Sequence, residues 1–160
     1  MRRVCVVIPA YNEATVIGEV VKSAREVFLK SKKAYDIDIV VVNDGSKDET
    51  ANEAKKGGAI VINHILNSGA GSATLTGLAY ARQHNYDIAA TMDADGQHAP
   101  DDVLEGIKSI DQGNTDLLIG SRLIDSRGMS KIKVLGNKGL SLFTYLLFGI
   151  NVTDSQSGLR

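Results

Sequence analysis

The sequence predicts an α/β fold, a three-layer α/β/α sandwich around a mostly parallel central sheet. Three observations carry that expectation. Short runs rich in Val and Ile alternate with stretches of helical periodicity, the order that builds parallel β-α-β units. The strand-like runs are close to continuously apolar rather than alternating, as strands covered on both faces must be. Each run also ends in a polar, glycine-containing cluster, and parallel sheets place their ligands beyond the carboxyl ends of the strands.

The elements follow in order. "VCVVI" (4–8) reads as a buried strand. Asn12 and Glu13 then lead into a helix whose apolar positions Val16, Ile17, Val20, Val21, Ala24, Val27 and Phe28 fall on one face. "IDIVVVND" (37–44) is a second strand ending in a turn, and Asp48 can cap a helix over 49–56 that Gly57 and Gly58 stop. "AIVIN" (59–63) is a third strand, and "NSGAGSATLTG" is a glycine-rich turn opening a helix that runs to about His84. "DIAATMD" (87–93) is a fourth strand, Pro100 opens a helix to about Gln112, and "DLLIGS" (116–121) is a fifth strand.

The bulk numbers bound the function. A chain of 160 residues, 43% hydrophobic and 23% charged, has the size and composition of one soluble domain, here the whole of 1–160. A net charge of -1 supplies no field that points to nucleic acid. Locally the charge is uneven. Residues 87–105 hold six acids and no Lys or Arg, whereas 121–140 hold five bases against Asp125. The lone cysteine, Cys5, lies inside an apolar run and reads as a small buried hydrophobe. No window reaches the roughly 18 apolar residues of a membrane span; the nearest is "LSLFTYLLFGI" (140–150), an interfacial helix, a core helix or a dimer contact.

Several motifs could carry chemistry. In "DADGQ" two carboxylates, Asp93 and Asp95, leave a strand end one residue apart. Hard oxygen ligands of this kind suit Mg2+ or Mn2+ held partly by substrate phosphates, and Asp-Gly is equally common turn chemistry. Asp44 could accept hydrogen bonds from a ribose or base edge, or serve the turn. "GAGSATLTG" fails as a dinucleotide fingerprint, since Thr74 stands where the third glycine belongs, and no Gly-Lys-Ser/Thr phosphate loop occurs. That failure disfavours a nucleotide-dependent oxidoreductase. His64, His84 and His98 share no metal-ligand spacing.

Taken together, "VVIPAYNE", "IVVVNDGSKDET", "MDADGQHAPDD", "LLIGSR" and "TDSQSGLR" resemble, in order and spacing, the family-two glycosyltransferases of GT-A (Rossmann-like) fold, nearest the polyprenol-phosphate (dolichol-phosphate) mannosyltransferase branch. The resemblance implies a metal-dependent inverting transfer of mannose, glucose or N-acetylglucosamine from a GDP- or UDP-sugar to a polyprenyl phosphate. Its alternatives are a sugar hydroxyl acceptor or a non-catalytic nucleotide-binding module. Pro9, Tyr11 and Glu13 would line the nucleotide pocket, and Val42 and Asp44 would hold base and ribose. Asp93, Asp95 and Gln97 would ligate a divalent metal, Mg2+ or Mn2+, with Ala94 beside the nucleotide. Arg122 would contact phosphate. Gln156, Ser157 and Arg160 would face the acceptor, and Asp154 would be the base a hydroxyl acceptor needs. Two departures stand out: Asn43 where relatives often carry an acid, and Gly69-Ala70-Gly71 where they commonly carry Gly-Lys-Gly. Relatives also continue beyond the last motif, so 1–160 is expected to be a catalytic core or a fragment. The basic stretch 122–138 and the apolar run 140–150 suggest a peripheral contact at the cytoplasmic face of a membrane.

Overall fold

A computed structural model describes residues 1–96, 99–113 and 116–120. Strands and helices alternate as β1 (Arg2–Ala10), α1 (Ile17–Leu29), β2 (Tyr35–Asn43), α2 (Thr50–Gly57), β3 (Ile60–Asn63), α3 (Ala70–Gln83), β4 (Ile88–Thr91) and α4 (Pro100–Gln112). The strands form one sheet in the order β3-β2-β1-β4, and every pairing is parallel.

The side-chain period of two sorts each strand between two cores. Val4, Val6 and Ile8 of β1 meet Ile17, Val21, Ala54, Val103 and Ile107 from α1, α2 and α4. Cys5 and Val7 point the other way and join Val40, Val42, Ala73 and Ala81 beneath α3. This is the expected three-layer sandwich, with Cys5 a buried core residue whose thiol burial pushes up to about 12. Gly77 lets α3 lie directly on the sheet: a methyl there would stand 2.1 Å from Val7 Cγ1. Gly57 does the same between α2 and α1, where a Cβ would meet Val21 Cβ at 2.9 Å. Gly57 is thus the last helical residue, and Gly58, at φ 98°, is the left-handed cap that ends α2.

β1 is longer than the sequence pattern suggests, because Arg2 and Arg3 find partners in Tyr35 and Asp36. At its other end β1 outruns β4. The last β1–β4 pair is Val7↔Thr91, and Met92 N–H donates to Val7 O at 3.0 Å. Strand alternation turns the backbone nitrogen of Pro9 to this same side, past the end of the ladder, so its missing N–H leaves no bond unmade.

Two further points differ from the sequence reading. α1 begins at Ile17 rather than at Asn12 or Glu13, because Asn12 takes a left-handed turn (φ 56°). The strand expected over 116–121 is not formed across 116–120; Leu118 instead lines, with Ile88, Ala90 and Ile107, a cavity at the seam of β4 and α4.

Candidate active site

The chain builds outward from β1 to β2 and β3, then α3 carries it back over the opposite face to β4 on the other side of β1. The order therefore reverses between β1 and β4, and ligands of open α/β sheets bind in the crevice at such a point. The loop after β1, with Tyr11 and Glu13, and the loop after β4, with Asp93 and Asp95, flank this crevice. Asp44 stands one strand further along, at the end of β2.

The loops after β1 and β2 are latched together. Asn12 N–H donates to Ser46 Oγ (2.9 Å), and Lys47 N–H returns a bond to Asn12 Oδ1 (2.9 Å). Glu13 N–H donates to Thr50 Oγ1 at 2.8 Å, and Ala14 N–H to Asp48 Oδ2 at 3.1 Å. Asp48, expected as the cap of α2, sits one residue before the Glu49 cap position. It accepts from the backbone and hydroxyl of Thr50 and ties α2 to the β1 loop as well. The Thr50 hydrogen bond is the main reason its carboxyl is held below the usual range. These bonds fix the backbone that presents Tyr11, 42% exposed, and the half-buried Glu13.

Asp44 is 2% exposed. Burial, the largest single effect, would raise its pKa. It is outweighed by Ser68 N–H (3.0 Å, Oδ1), His64 Nδ1 (2.7 Å, Oδ1) and Gly69 N–H (2.8 Å, Oδ2), which hold the carboxyl below its ordinary value. His64 Nε2 lies 2.9 Å from Thr76 Oγ1 on α3. Gly45 makes the turn possible: it has φ 71°, and a Cβ would fall 2.6 Å from the Leu66 carbonyl carbon. Asn43, the departure from the acidic pattern, donates through Nδ2 to Asn63 Oδ1 at 2.9 Å across β2 and β3. A carboxylate at 43 would have no proton to give that oxygen.

After β4, Met92 and Ala94 are buried in the α1–α4 core, which leaves Asp93 half-buried and Asp95 exposed on the turn at Gly96. Among the described residues no group of three or more His, Cys, Asp or Glu is placed to hold a metal. Two carboxylates at one strand end still suit a hard cation that draws its remaining ligands from substrate phosphates and water.

The structure therefore brings Pro9, Tyr11, Glu13, Asp44, Asp93 and Asp95 to one edge of the sheet. Val42, two residues before Asp44, has its side chain fully buried under α3. Ala94 likewise turns its methyl into the core. Gln97, Arg122, Asp154, Gln156, Ser157 and Arg160 lie outside the described residues, as do the basic stretch 122–138 and the apolar run 140–150. The sequence reading passed over His64 and Thr76, since it tested histidines only for metal spacing. The available signal was position: His64 directly follows β3, at the same edge as the other polar clusters. Among the described residues no helix is long and apolar enough to cross a membrane.

Comparison with known proteins agrees with this arrangement. The model of the family described as Glycosyl transferase family 2 matches residues 5–154. The UDP-N-acetylglucosamine–dolichyl-phosphate N-acetylglucosaminyltransferase of Methanococcus voltae is 41% identical over 174 residues, covering 96% of this chain and 66% of that protein. Mannosyl-3-phosphoglycerate synthase from Rubrobacter xylanophilus superposes with a TM-score of 0.73 at 20% identity, over 99% of this chain and 52% of that one, a likeness of fold. A mannosyltransferase from Pyrobaculum calidifontis, solved in complex with GDP-Man and Mn2+, superposes at 0.60 with 25% identity, over 78% and 37%. The chain spans just under two thirds of the length of the curated relatives it matches first, 62% and 66%.

Proposed function

The chain belongs to glycosyl transferase family 2, and we propose on that premise that it moves a sugar from a nucleotide-diphospho-sugar to a polyprenyl phosphate. The observation that supports the reading is that the Tyr11–Glu13 loop and the Asp93/Asp95 turn flank the point where strand order reverses, with Asp44 one strand away at the same edge. The dolichyl-phosphate acceptor in the name of the Methanococcus voltae relative supports the acceptor class.

In this reading Tyr11, Glu13 and Asp44 hold the nucleoside, and Asp93 and Asp95, with Gln97, would hold a divalent ion, Mg2+ or Mn2+. Such an ion, when bound, supplies counter-charge to the diphosphate leaving group. An oxygen of the acceptor phosphate forms the new bond to the anomeric carbon as the bond from that carbon to the diphosphate oxygen breaks. Its electron pair leaves with the nucleoside diphosphate, and the configuration inverts. The acceptor oxygen is already anionic at neutral pH, so no general base is required. Arg122 adds a charge-assisted phosphate contact, and Asp154, Gln156, Ser157 and Arg160 face the acceptor side. A lipid-borne acceptor places the reaction at a membrane surface, on the cytoplasmic side, with 122–138 and 140–150 as the peripheral contact.

A panel of GDP- and UDP-sugars, with and without Mn2+, tests the donor half. A ligand of the folded state raises the melting temperature by mass action. A shift for one nucleotide that needs the metal supports the reading and names the base; no shift for any of them rejects it. Labelled donor offered to a polyprenyl phosphate and to a sugar hydroxyl then separates the acceptor classes.

A further inference from the structure

We propose that His64 is a positioning residue, clamped between Thr76 and Asp44 so that it sets the orientation in which the Asp44 carboxylate meets the donor nucleoside. This rests on the reading of Asp44 as a nucleoside contact.

An aspartate carboxyl turns easily about its last torsion, so its orientation is set by its donors. Asp44 has three: Ser68 N–H and His64 on Oδ1, and Gly69 N–H on Oδ2. A carboxylate offers about four acceptor positions, so Oδ2 keeps one for a ligand hydroxyl or base N–H. Two of the three donors belong to the loop 66–69, which itself hangs on Asp44 and cannot serve as an independent anchor. The imidazole can. Its backbone N–H is bound to Asn43 O at 2.9 Å, and its far nitrogen meets Thr76 Oγ1 at 2.9 Å. Thr76 precedes Gly77, where α3 lies hard against β1. The ring is only 16% exposed. An ionised carboxylate can only accept, so Nδ1 carries a proton toward Asp44, while the Thr76 hydroxyl, able to donate or accept, pairs with Nε2. The ring plane and the carboxylate are thus held in one chain that starts on α3.

Side-chain geometry supplies the test. The amide nitrogen of Asn can stand where Nδ1 stands, whereas that of Gln reaches the place of Nε2. His64→Asn keeps the bond to Asp44, and His64→Gln keeps only the one to Thr76. A role in packing alone would favour Gln, the larger of the two. The probes are GDP and UDP, each titrated by calorimetry with Mn2+ into the full chain, with a thermal melt of every variant. The expected result is binding about tenfold weaker for His64→Ala and His64→Gln, and within about threefold of wild type for His64→Asn. Thr76→Val, which keeps shape and loses the hydroxyl, should weaken binding by about threefold. Unchanged affinity in His64→Ala, or His64→Asn no better than His64→Gln, overturns the proposal while leaving the donor reading intact. If His64→Ala does not fold, the Asn–Gln comparison decides. Wild-type protein that binds neither nucleotide overturns both.

Discussion

The ends of β2 and β4 both carry aspartates, and they treat them in opposite ways. Asp44 is buried and compensated from within by an imidazole and two backbone N–H groups. Asp95 stands exposed on a turn whose neighbours Met92 and Ala94 are anchored in the core. A buried charge must be satisfied by the fold itself. An exposed carboxylate at a strand end can be reached by an incoming cation. One edge of the sheet thus holds one carboxylate enclosed by the fold and another on its surface.

Three substitutions or conditions can break that contrast. The largest effect is expected from Asp95→Asn, which should lower the transfer rate by about 10²–10³-fold, the order seen when one group that stabilises transition-state charge is lost. Its melting temperature should stay near wild type; undiminished transfer would remove Asp95 from the chemistry. Asp44→Ala should cost stability as well as donor binding. It strands the half-buried His64 imidazole and two backbone N–H groups of the 68–69 turn, and a urea titration should show a loss of roughly 2–4 kcal/mol, against less than about 1 kcal/mol for Asp95→Ala. Equal losses would erase the distinction. The smallest effect is a pH dependence. Asp44 and Asp48 have carboxyls held low in the fold, so the unfolded chain takes up protons first as pH falls. Their stabilisation is complete above the ordinary carboxylate range and drains away as the pH drops through it toward their folded values. Asp44→Asn should flatten that acid limb of the urea midpoint; an unchanged slope would place the titration elsewhere.

Much of this was legible in advance. The apolar runs marked the strands because the central β1 and β2 are covered on both faces, and Pro100 marked the start of α4 to the residue. Limits appeared wherever a distant partner decided the outcome. Arg2 and Arg3 are strand because Tyr35 and Asp36 run beside them, and "DLLIG" is apolar enough for a strand yet makes no ladder over 116–120. Asn12 starts no helix because Ser46 and Lys47 hold it in a left-handed turn. The motif order put the aspartates at one edge, since motifs at the ends of parallel strands share an edge by topology. It could not reveal His64, whose partners lie 20 and 12 residues away and are joined only when α3 folds back over the sheet.

The contact of α3 with β1 at Gly77 has a mechanical consequence. With no room for a methyl between helix and strand, α3 has no clearance to roll or slide over the sheet when a ligand arrives. The turn at 65–69 hangs on this fixed rim through the hydrogen bonds that Ser68 and Gly69 make to Asp44, while His64 ties that same carboxylate to α3.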